Sequence, residues 1–230
     1  MAIIATAAWA VPKAVASAFP SEGSVLARYA AVFRGVEINS TFYRSHRETT
    51  YARWAETTGP DFRFAVKVPK AITHDRRLSG IGDLFRAFVD EIAPLGGKIG
   101  PLLCQLPPSL AFDPKETAAA LGAIRRLWDG PLVIEPRHRS FAYKAALDLL
   151  AGLHIGRVLA DPAPVWPPES FAPPVAYLRL HGRPRLYYSR YESEALARYH
   201  TLLGPESWCV FDNTAEGAAT ANALEMLALG

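Results

Sequence analysis

Short hydrophobic runs alternate with longer amphipathic segments along most of this chain. Eight runs have the length and apolar content of buried strands, and they lie near residues 3–9, 34–39, 62–68, 101–106, 131–136, 156–161, 175–181 and 207–212. Helical periodicity predicts helices near residues 22–33, 47–58, 82–94, 114–128, 140–153, 191–203 and 215–228. The clearest helix start combines an N-cap acceptor, Asp113, with a first-turn proline, Pro114, and the acid Glu116. This alternation is typical of repeated strand–helix units that build a parallel sheet.

One crossover departs from the pattern. Residues 162–174 contain six prolines, Pro162, Pro164, Pro167, Pro168, Pro173 and Pro174. Proline removes an amide donor and clashes within a helical turn, so an extended loop is expected between strands six and seven instead of a helix.

These elements predict an α/β fold, an irregular TIM-like (β/α)8 barrel that occupies residues 1–230 as a single domain. A doubly wound open sheet is the alternative. It usually carries a glycine-rich phosphate-binding turn after the first strand, and this chain has none.

Composition adds little beyond one large core. Half of the 230 residues are hydrophobic, and the net charge of +3 is too small to indicate binding to nucleic acid or to a membrane. The two cysteines, Cys104 and Cys209, lie in strand-like runs and predict no disulfide framework, which favours a cytoplasmic location. Residues 1–12 lack the basic start of a signal peptide and contain Pro12, so we interpret their apolar part as the first strand.

Chemically capable side chains occur at the carboxyl ends of most predicted strands. In barrel enzymes this end of the sheet carries the active site. Side chains alternate along a strand, so Glu135 shares a face with Arg137, and Arg179 shares a face with His181. The polar and charged residues expected to meet there are Glu37, Asn39, Lys67, Gln105, Glu135, Arg137, Asp161, Arg179, His181 and Asp212. Buried charges must pair, hold a metal or await a charged ligand.

Several residues just beyond the strands are expected to line the same opening and contact a substrate. They are Trp9, Tyr43, His74, His138 and Asn213. No Walker loop, G-x-S-x-G elbow, H-E-x-x-H or C-x-x-C motif is present, which argues against nucleoside triphosphatases, serine hydrolases and zincins.

Six motifs resemble, in order, those of the YecE-like domain-of-unknown-function 72 family: Val36–Tyr43, Phe64–Pro69 with Thr73-His74, Gln105–Pro108, Glu135–His138, Leu178–Gly182 and Phe211–Asn213. The resemblance spans nearly the whole chain and implies a TIM-like barrel of no established activity. Two positions differ from the family. Ala5–Trp9 replaces a run that typically reads Gly-Thr-Ser-Gly-Trp, which predicts crowding beside Trp9, and Asp212-Asn213 replaces a pair of asparagines.

Our first functional hypothesis is an enzyme, with hydrolysis favoured, that acts on a small anionic or phosphorylated substrate. Lys67, Arg137 and Arg179 would hold the anion. Glu37 or Glu135 would move a proton with the help of His181. No cofactor is required by this hypothesis, and no membrane partner is expected.

Three alternatives remain open at this stage. The first is a divalent-metal phosphodiesterase with the ligands Glu37, Glu135, Asp161, His181 and Asp212. The second is a non-catalytic nucleic-acid binder that uses loop arginines, namely Arg44, Arg47, Arg76, Arg77, Arg183, Arg185 and Arg190. The third is purely structural, with Glu37–Lys67 and Glu135–Arg137 or Glu135–Arg179 ion pairs that fill the barrel.

Overall fold

The computed structural model describes residues 1–230, and its strands form one eight-stranded parallel sheet. The strands are β1 (Ile3–Thr6), β2 (Gly35–Ile38), β3 (Arg63–Lys67), β4 (Ile99–Gln105), β5 (Leu132–Glu135), β6 (Gly156–Asp161), β7 (Tyr177–Leu180) and β8 (Trp208–Phe211). The helices are α1 (Val25–Ala30), α2 (Glu48–Thr57), α3 (Gly82–Ile92), α4 (Pro114–Leu127), α5 (Lys144–Gly152), α6 (Ser193–His200) and α7 (Ala218–Leu227). The predicted α/β class and TIM-like architecture are confirmed.

The sheet is nearly closed into a barrel. Its strand order is β1-β8-β7-β6-β5-β4-β3-β2, and β1 pairs with β8 over its whole length. The remaining seam, between β1 and β2, is joined by a single bridge from Ala7 to Glu37, where the Ala8 amide donates to the Glu37 carbonyl at 2.9 Å.

Local sequence explains where several elements begin and end. The Asp113 carboxylate accepts a hydrogen bond from the Glu116 amide at 2.8 Å, so α4 begins as its sequence predicts. The first strand is shorter than predicted, because Ala8 has a left-handed backbone with φ 71° that ends the extended run before Trp9.

The connection between β6 and β7 contains one short 3-10 turn, Pro168–Ser170, as its only helical segment. Trp166 anchors this connection, because its buried indole N–H donates to the Phe141 carbonyl at 3.1 Å. None of the helices has both the length and the apolar composition needed to cross a lipid bilayer.

Hydrophobic residues form two cores on the two faces of the sheet. The larger core lies between strands and helices and includes Val36, Phe64 and Leu178. The smaller core lies inside the barrel, where the Tyr177 and Trp208 rings stack with centroids 6.1 Å apart. The interior therefore has an apolar amino end, and the polar residues of the strands collect at the carboxyl end, which we call the mouth.

Candidate active site

Arg179 lies at the centre of a buried charge network below the mouth. Its guanidinium binds Glu37 with two hydrogen bonds, from Nε to Oε2 at 3.0 Å and from Nη2 to Oε1 at 2.8 Å. Nη1 donates to Glu135 Oε2 at 3.2 Å, and Nη2 lies 3.1 Å from Asp212 Oδ2. Three carboxylates thus surround one guanidinium that is 1% exposed. This arrangement satisfies Arg179 within the protein.

Tyr177 supports the same network from one layer deeper in the barrel. Its hydroxyl donates to Glu37 Oε2 at 2.8 Å. Burial and the negative charge of Glu37 raise the pKa of Tyr177 well above its ordinary value, so the phenol stays protonated. Glu37 therefore receives donors from two residues of β7, and its position is fixed.

His181 bridges two carboxylates and has no exposed surface. Its Nδ1 lies 3.0 Å from Asp212 Oδ2, and its Nε2 lies 3.0 Å from Glu135 Oε1. Burial opposes a charge on the imidazole, but Glu135 and Asp212 outweigh it and raise the pKa of His181. Burial likewise opposes the charges of Glu135 and Asp212, and the cations around them lower both carboxyl pKa values. The arrangement stabilises an imidazolium between two carboxylates.

Lys67 lies beside this network but is not paired with it. The residue is 5% exposed, and its ammonium nitrogen lies 4.2 Å from the centroid of the Phe42 ring. No carboxylate lies within salt-bridge distance of its ammonium. The structural alternative predicted a Glu37–Lys67 ion pair, but Glu37 pairs with Arg179. Burial and the charge of Arg179 lower the pKa of Lys67 to about 8. Lys67 is therefore a buried, unpartnered amine.

Arg137 covers the network from the mouth. One of its Nη nitrogens binds Glu135 Oε1 and lies 3.1 Å from His181 Nε2. Its Nε is buried and has no hydrogen-bond partner, although the side chain as a whole is 15% exposed. Arg137 keeps a free donor next to the bound carboxylate.

Comparison with known proteins identifies the family. Residues 3–229 match the family described as "Protein of unknown function DUF72". The chain belongs to the DUF72 family. The UPF0759 protein YecE of Escherichia coli K12 is 34% identical over 163 residues, which make up 68% of this chain and 58% of that protein. The matched region thus spans less than two thirds of that relative's length.

Two crystal structures of DUF72 family proteins share the fold. The protein from Enterococcus faecalis V583 has a TM-score of 0.82 and 21% identity, with coverage of 100% of this chain and 95% of that chain. The protein from Thermotoga maritima MSB8 has a TM-score of 0.82 and 24% identity, with coverage of 100% and 99%. Family and fold are confirmed. No reaction comes with the family, so the chemistry has to be argued from the site.

The two departures from the usual DUF72 pattern both lie at the mouth. Ala8 takes the place of a typical glycine and has φ 71°, a conformation that glycine adopts without strain. Trp9 beside it packs edge-on against Trp54 with ring centroids 4.9 Å apart. Asp212 binds His181 and Arg179, so it contributes a third carboxylate to the buried network.

Several other predicted DUF72 site residues line or support the mouth. Gln105 is the register partner of Glu135, and the carbonyl oxygen of the Asn39 side chain is buried without a partner. His74 packs edge-on against Phe42, with centroids 4.9 Å apart, and burial and the charge of Lys67 lower its pKa. Tyr43 is 75% exposed and lies at the outer rim.

His138 and Asn213 hold backbone around the mouth. The Nδ1 atom of His138 accepts from the Ser140 amide at 3.3 Å and caps the following turn. The Asn213 side-chain amide donates to Asn222 Oδ1 at 3.0 Å and to the Ser189 carbonyl at 2.9 Å. Both residues position loops, and contact between either one and a substrate stays a prediction.

The expectation that Asp161 joins the central site is wrong. Ala160 faces the barrel interior, so Asp161, the next residue of β6, points to the helix side. Its carboxylate accepts from the Tyr191 hydroxyl at 2.8 Å and pairs with Arg183 at 3.2 Å. The proposed five-ligand metal site is therefore not assembled, and no group of three or more His, Cys, Asp or Glu side chains has an arrangement that could hold a metal ion.

Tyr177 and Tyr187 also lie at the site, although the sequence assigned neither of them a role in it. Period-two alternation along β7 places Tyr177 on the same strand face as Arg179. Tyr187 lies edge-on to His181 with ring centroids 5.9 Å apart. Tyr187 lies in a loop and has φ 69°, so sequence periodicity does not predict its position.

Proposed function

We propose that this DUF72 protein is an enzyme that binds a small anionic or phosphorylated molecule at the mouth and transfers a proton to or from it. Lys67 and Arg137 would bind the anion. The Glu135–His181–Asp212 group would supply the acid and base.

The observation that carries the proposal is the contrast between satisfied and unsatisfied cations. Arg179 is bound by three carboxylates, which already neutralise its charge. Arg137 Nε is buried without an acceptor, and the ammonium of the 5% exposed Lys67 has no acceptor within the chain. An unpartnered buried donor is costly, so an oxyanion that contacts both residues would satisfy Arg137 Nε and neutralise the Lys67 charge.

The proton-transfer role follows from the environment of His181. A histidine held between two carboxylates is stabilised in its protonated form, which raises its pKa and suits it to act as a general acid. Glu135 connects it to Arg137, because one carboxylate oxygen contacts both side chains. An anion that draws Arg137 away from Glu135 would place its reacting atoms next to this acid.

The loop arginines give less support to nucleic-acid binding. Four of these arginines already have partners within the chain. Arg77 donates to Ser109, Arg183 pairs with Asp161, and Arg190 pairs with Glu225. The guanidinium carbon of Arg185 lies 3.6 Å from the centroid of the Tyr188 ring. These arginines would have to give up their contacts within the chain before they could bind the phosphates of a nucleic acid.

Calorimetric titration with inorganic phosphate tests the proposal. We expect Lys67→Met and Arg137→Met to weaken binding by about tenfold or more, since each loses a charged hydrogen bond to the anion. Matched exposed controls, Lys70→Met and Arg139→Met, should bind like the parent protein. Equal titrations for all five proteins would contradict the proposal and favour a structural ion network.

Elemental analysis tests the metal alternative directly. Protein purified without chelator should contain no stoichiometric divalent ion that depends on Glu135 and His181. A stoichiometric metal that is lost in Glu135→Gln and His181→Asn variants would replace our proposal with metal-assisted hydrolysis.

A further inference from the structure

Lys67 is a buried charged residue of the mouth whose side chain has no oppositely charged partner. It is 5% exposed, and its amine contacts the face of an aromatic ring, Phe42, instead of a carboxylate. The Thr41 hydroxyl donates to the Lys67 carbonyl at 2.7 Å and fixes the backbone at the end of β3. The amine is thus held in place at the opening of the barrel.

The surrounding carboxylates are committed elsewhere. Glu37 binds Arg179 and Tyr177, while Glu135 and Asp212 bind Arg179 and His181. A lysine that served only to neutralise charge would pair with one of them. Burial instead lowers the pKa of Lys67 to about 8, which keeps a sizeable fraction of the amine unprotonated and nucleophilic near neutral pH.

We propose that Lys67 is a covalent nucleophile that condenses with the carbonyl group of an anionic aldehyde or ketone to form an imine. This inference rests on the proposed function, because Arg137 would hold the anionic group of that substrate. It names the substrate class as carbonyl compounds that carry a carboxylate or phosphate.

The steps balance with groups that are present at the mouth. The lone pair of the neutral Lys67 amine attacks the carbonyl carbon, and the oxygen takes a proton supplied by His181, which gives a carbinolamine. The nitrogen gives its extra proton back to His181, which the first transfer left neutral. His181 then protonates the hydroxyl group, which leaves as water while the nitrogen lone pair forms the C=N bond of a protonated imine.

Reductive trapping tests this inference. The full-length protein is incubated at pH 7 with sodium cyanoborohydride and either glyoxylate, which is anionic, or formaldehyde, which is neutral. Modified lysines are then located by peptide mass spectrometry. A buried amine of lowered pKa has roughly a hundredfold larger unprotonated fraction at this pH than an ordinary lysine, so we expect glyoxylate to modify Lys67 at least about tenfold faster than exposed lysines.

The chain provides its own controls. Lys70 and Lys144 are 52% and 86% exposed and pair with Asp75 and Asp148, so they report the background rate in the same sample. Arg137→Met should slow the reaction of glyoxylate at Lys67 more than the reaction of formaldehyde, a difference that a merely reactive lysine would not show. Modification of Lys70 and Lys144 at rates equal to or above that of Lys67, with both probes, overturns the inference.

Phosphate titration separates the two proposals. If phosphate binds and Arg137→Met weakens it while Lys67 stays unmodified, the imine is overturned and the anion-binding enzyme stands. If formaldehyde alone modifies Lys67 rapidly and phosphate does not bind, the proposed function is overturned together with the anionic substrate class.

Discussion

Ala8 adopts a left-handed backbone conformation, φ 71°, at the seam between β1 and β2. This conformation costs a residue with a Cβ atom about 1–2 kcal/mol, whereas glycine adopts it freely. We therefore expect Ala8→Gly to raise the free energy of unfolding by about 1 kcal/mol, measured by urea denaturation. Ala7→Gly is the matched control, because Ala7 is buried without positive φ and should lose stability. A loss of stability in both variants would contradict the strain at Ala8.

Arg179 and Lys67 should respond in opposite ways to the same substitution. Arg179→Met leaves three buried carboxylates without their shared cation, so we expect a loss of about 3–5 kcal/mol in unfolding free energy. Lys67→Met removes a buried charge that has no carboxylate partner, so stability should be retained or increased. Thermal and urea denaturation measure both effects. A large loss of stability in Lys67→Met would show that Lys67 is a structural part of the network.

At the scale of secondary-structure elements, the Trp208 ring of β8 packs against two glycines at the amino end of the barrel. A Cβ atom at Gly100 would lie 2.7 Å from the Trp208 ring, and one at Gly35 would lie 3.1 Å from it. These glycines of β4 and β2 let a large aromatic side chain of β8 fill the interior. The layer beneath the charged site is therefore rigid and apolar.

Gly100→Ala should overpack this layer and cost about 1–3 kcal/mol in unfolding free energy. Trp208→Phe removes the ring atoms nearest to Gly100, so the double variant should be less destabilised than the sum of the two single variants. Urea denaturation of all four proteins measures this coupling energy. Additive effects would show that Gly100 and Trp208 do not compete for the same space.

At the scale of the whole molecule, the buried charge network couples stability to pH. Glu135 and Asp212 have lowered pKa values in the folded protein, so their contribution is present above the unfolded value of about 4 and is lost as the pH falls. His181 has a raised pKa, so its contribution is present below about pH 6.5 and is lost as the pH rises through its folded value. The two dependences have opposite signs and act in different pH ranges, so both contributions are fully present between about pH 4 and pH 6.5.

We expect the free energy of unfolding to fall steeply on acidification below about pH 4, because the unfolded chain then takes up protons at Glu135 and Asp212 while the folded protein keeps both ionised. Asp212→Asn should make this fall shallower, since it removes one of the titrating carboxylates. Asp148→Asn is the control at a carboxylate that is 59% exposed and should leave the slope unchanged. Urea titrations between pH 2.5 and 8 measure the slopes, and identical acid slopes in all three proteins would exclude Asp212 as their source.

The sequence by itself determined the element order and the face that carries the charges. Period-two alternation is a local property of the backbone, so Glu37, Glu135 and Arg179 could be placed inside the barrel without knowledge of any contact. Proline chemistry likewise predicted an irregular connection before β7, and the motifs identified the family. Boundaries were less accurate, since β1 ends at a strained Ala8 that hydrophobicity does not reveal.

The tertiary structure decided which charges are paired. Glu37 on β2 binds Arg179 on β7, and the two residues are 142 positions apart in the sequence. A local sequence pattern cannot predict a contact between residues so far apart. Pairing depends on which strand ends lie next to each other in the closed barrel and on which cation lies within reach of each carboxylate. Arg179 binds Glu37, Glu135 and Asp212. Asp161 binds Tyr191 on the helix side, and Lys67 has no carboxylate partner. The unpaired amine, on which the proposed chemistry rests, therefore exists only in the folded barrel.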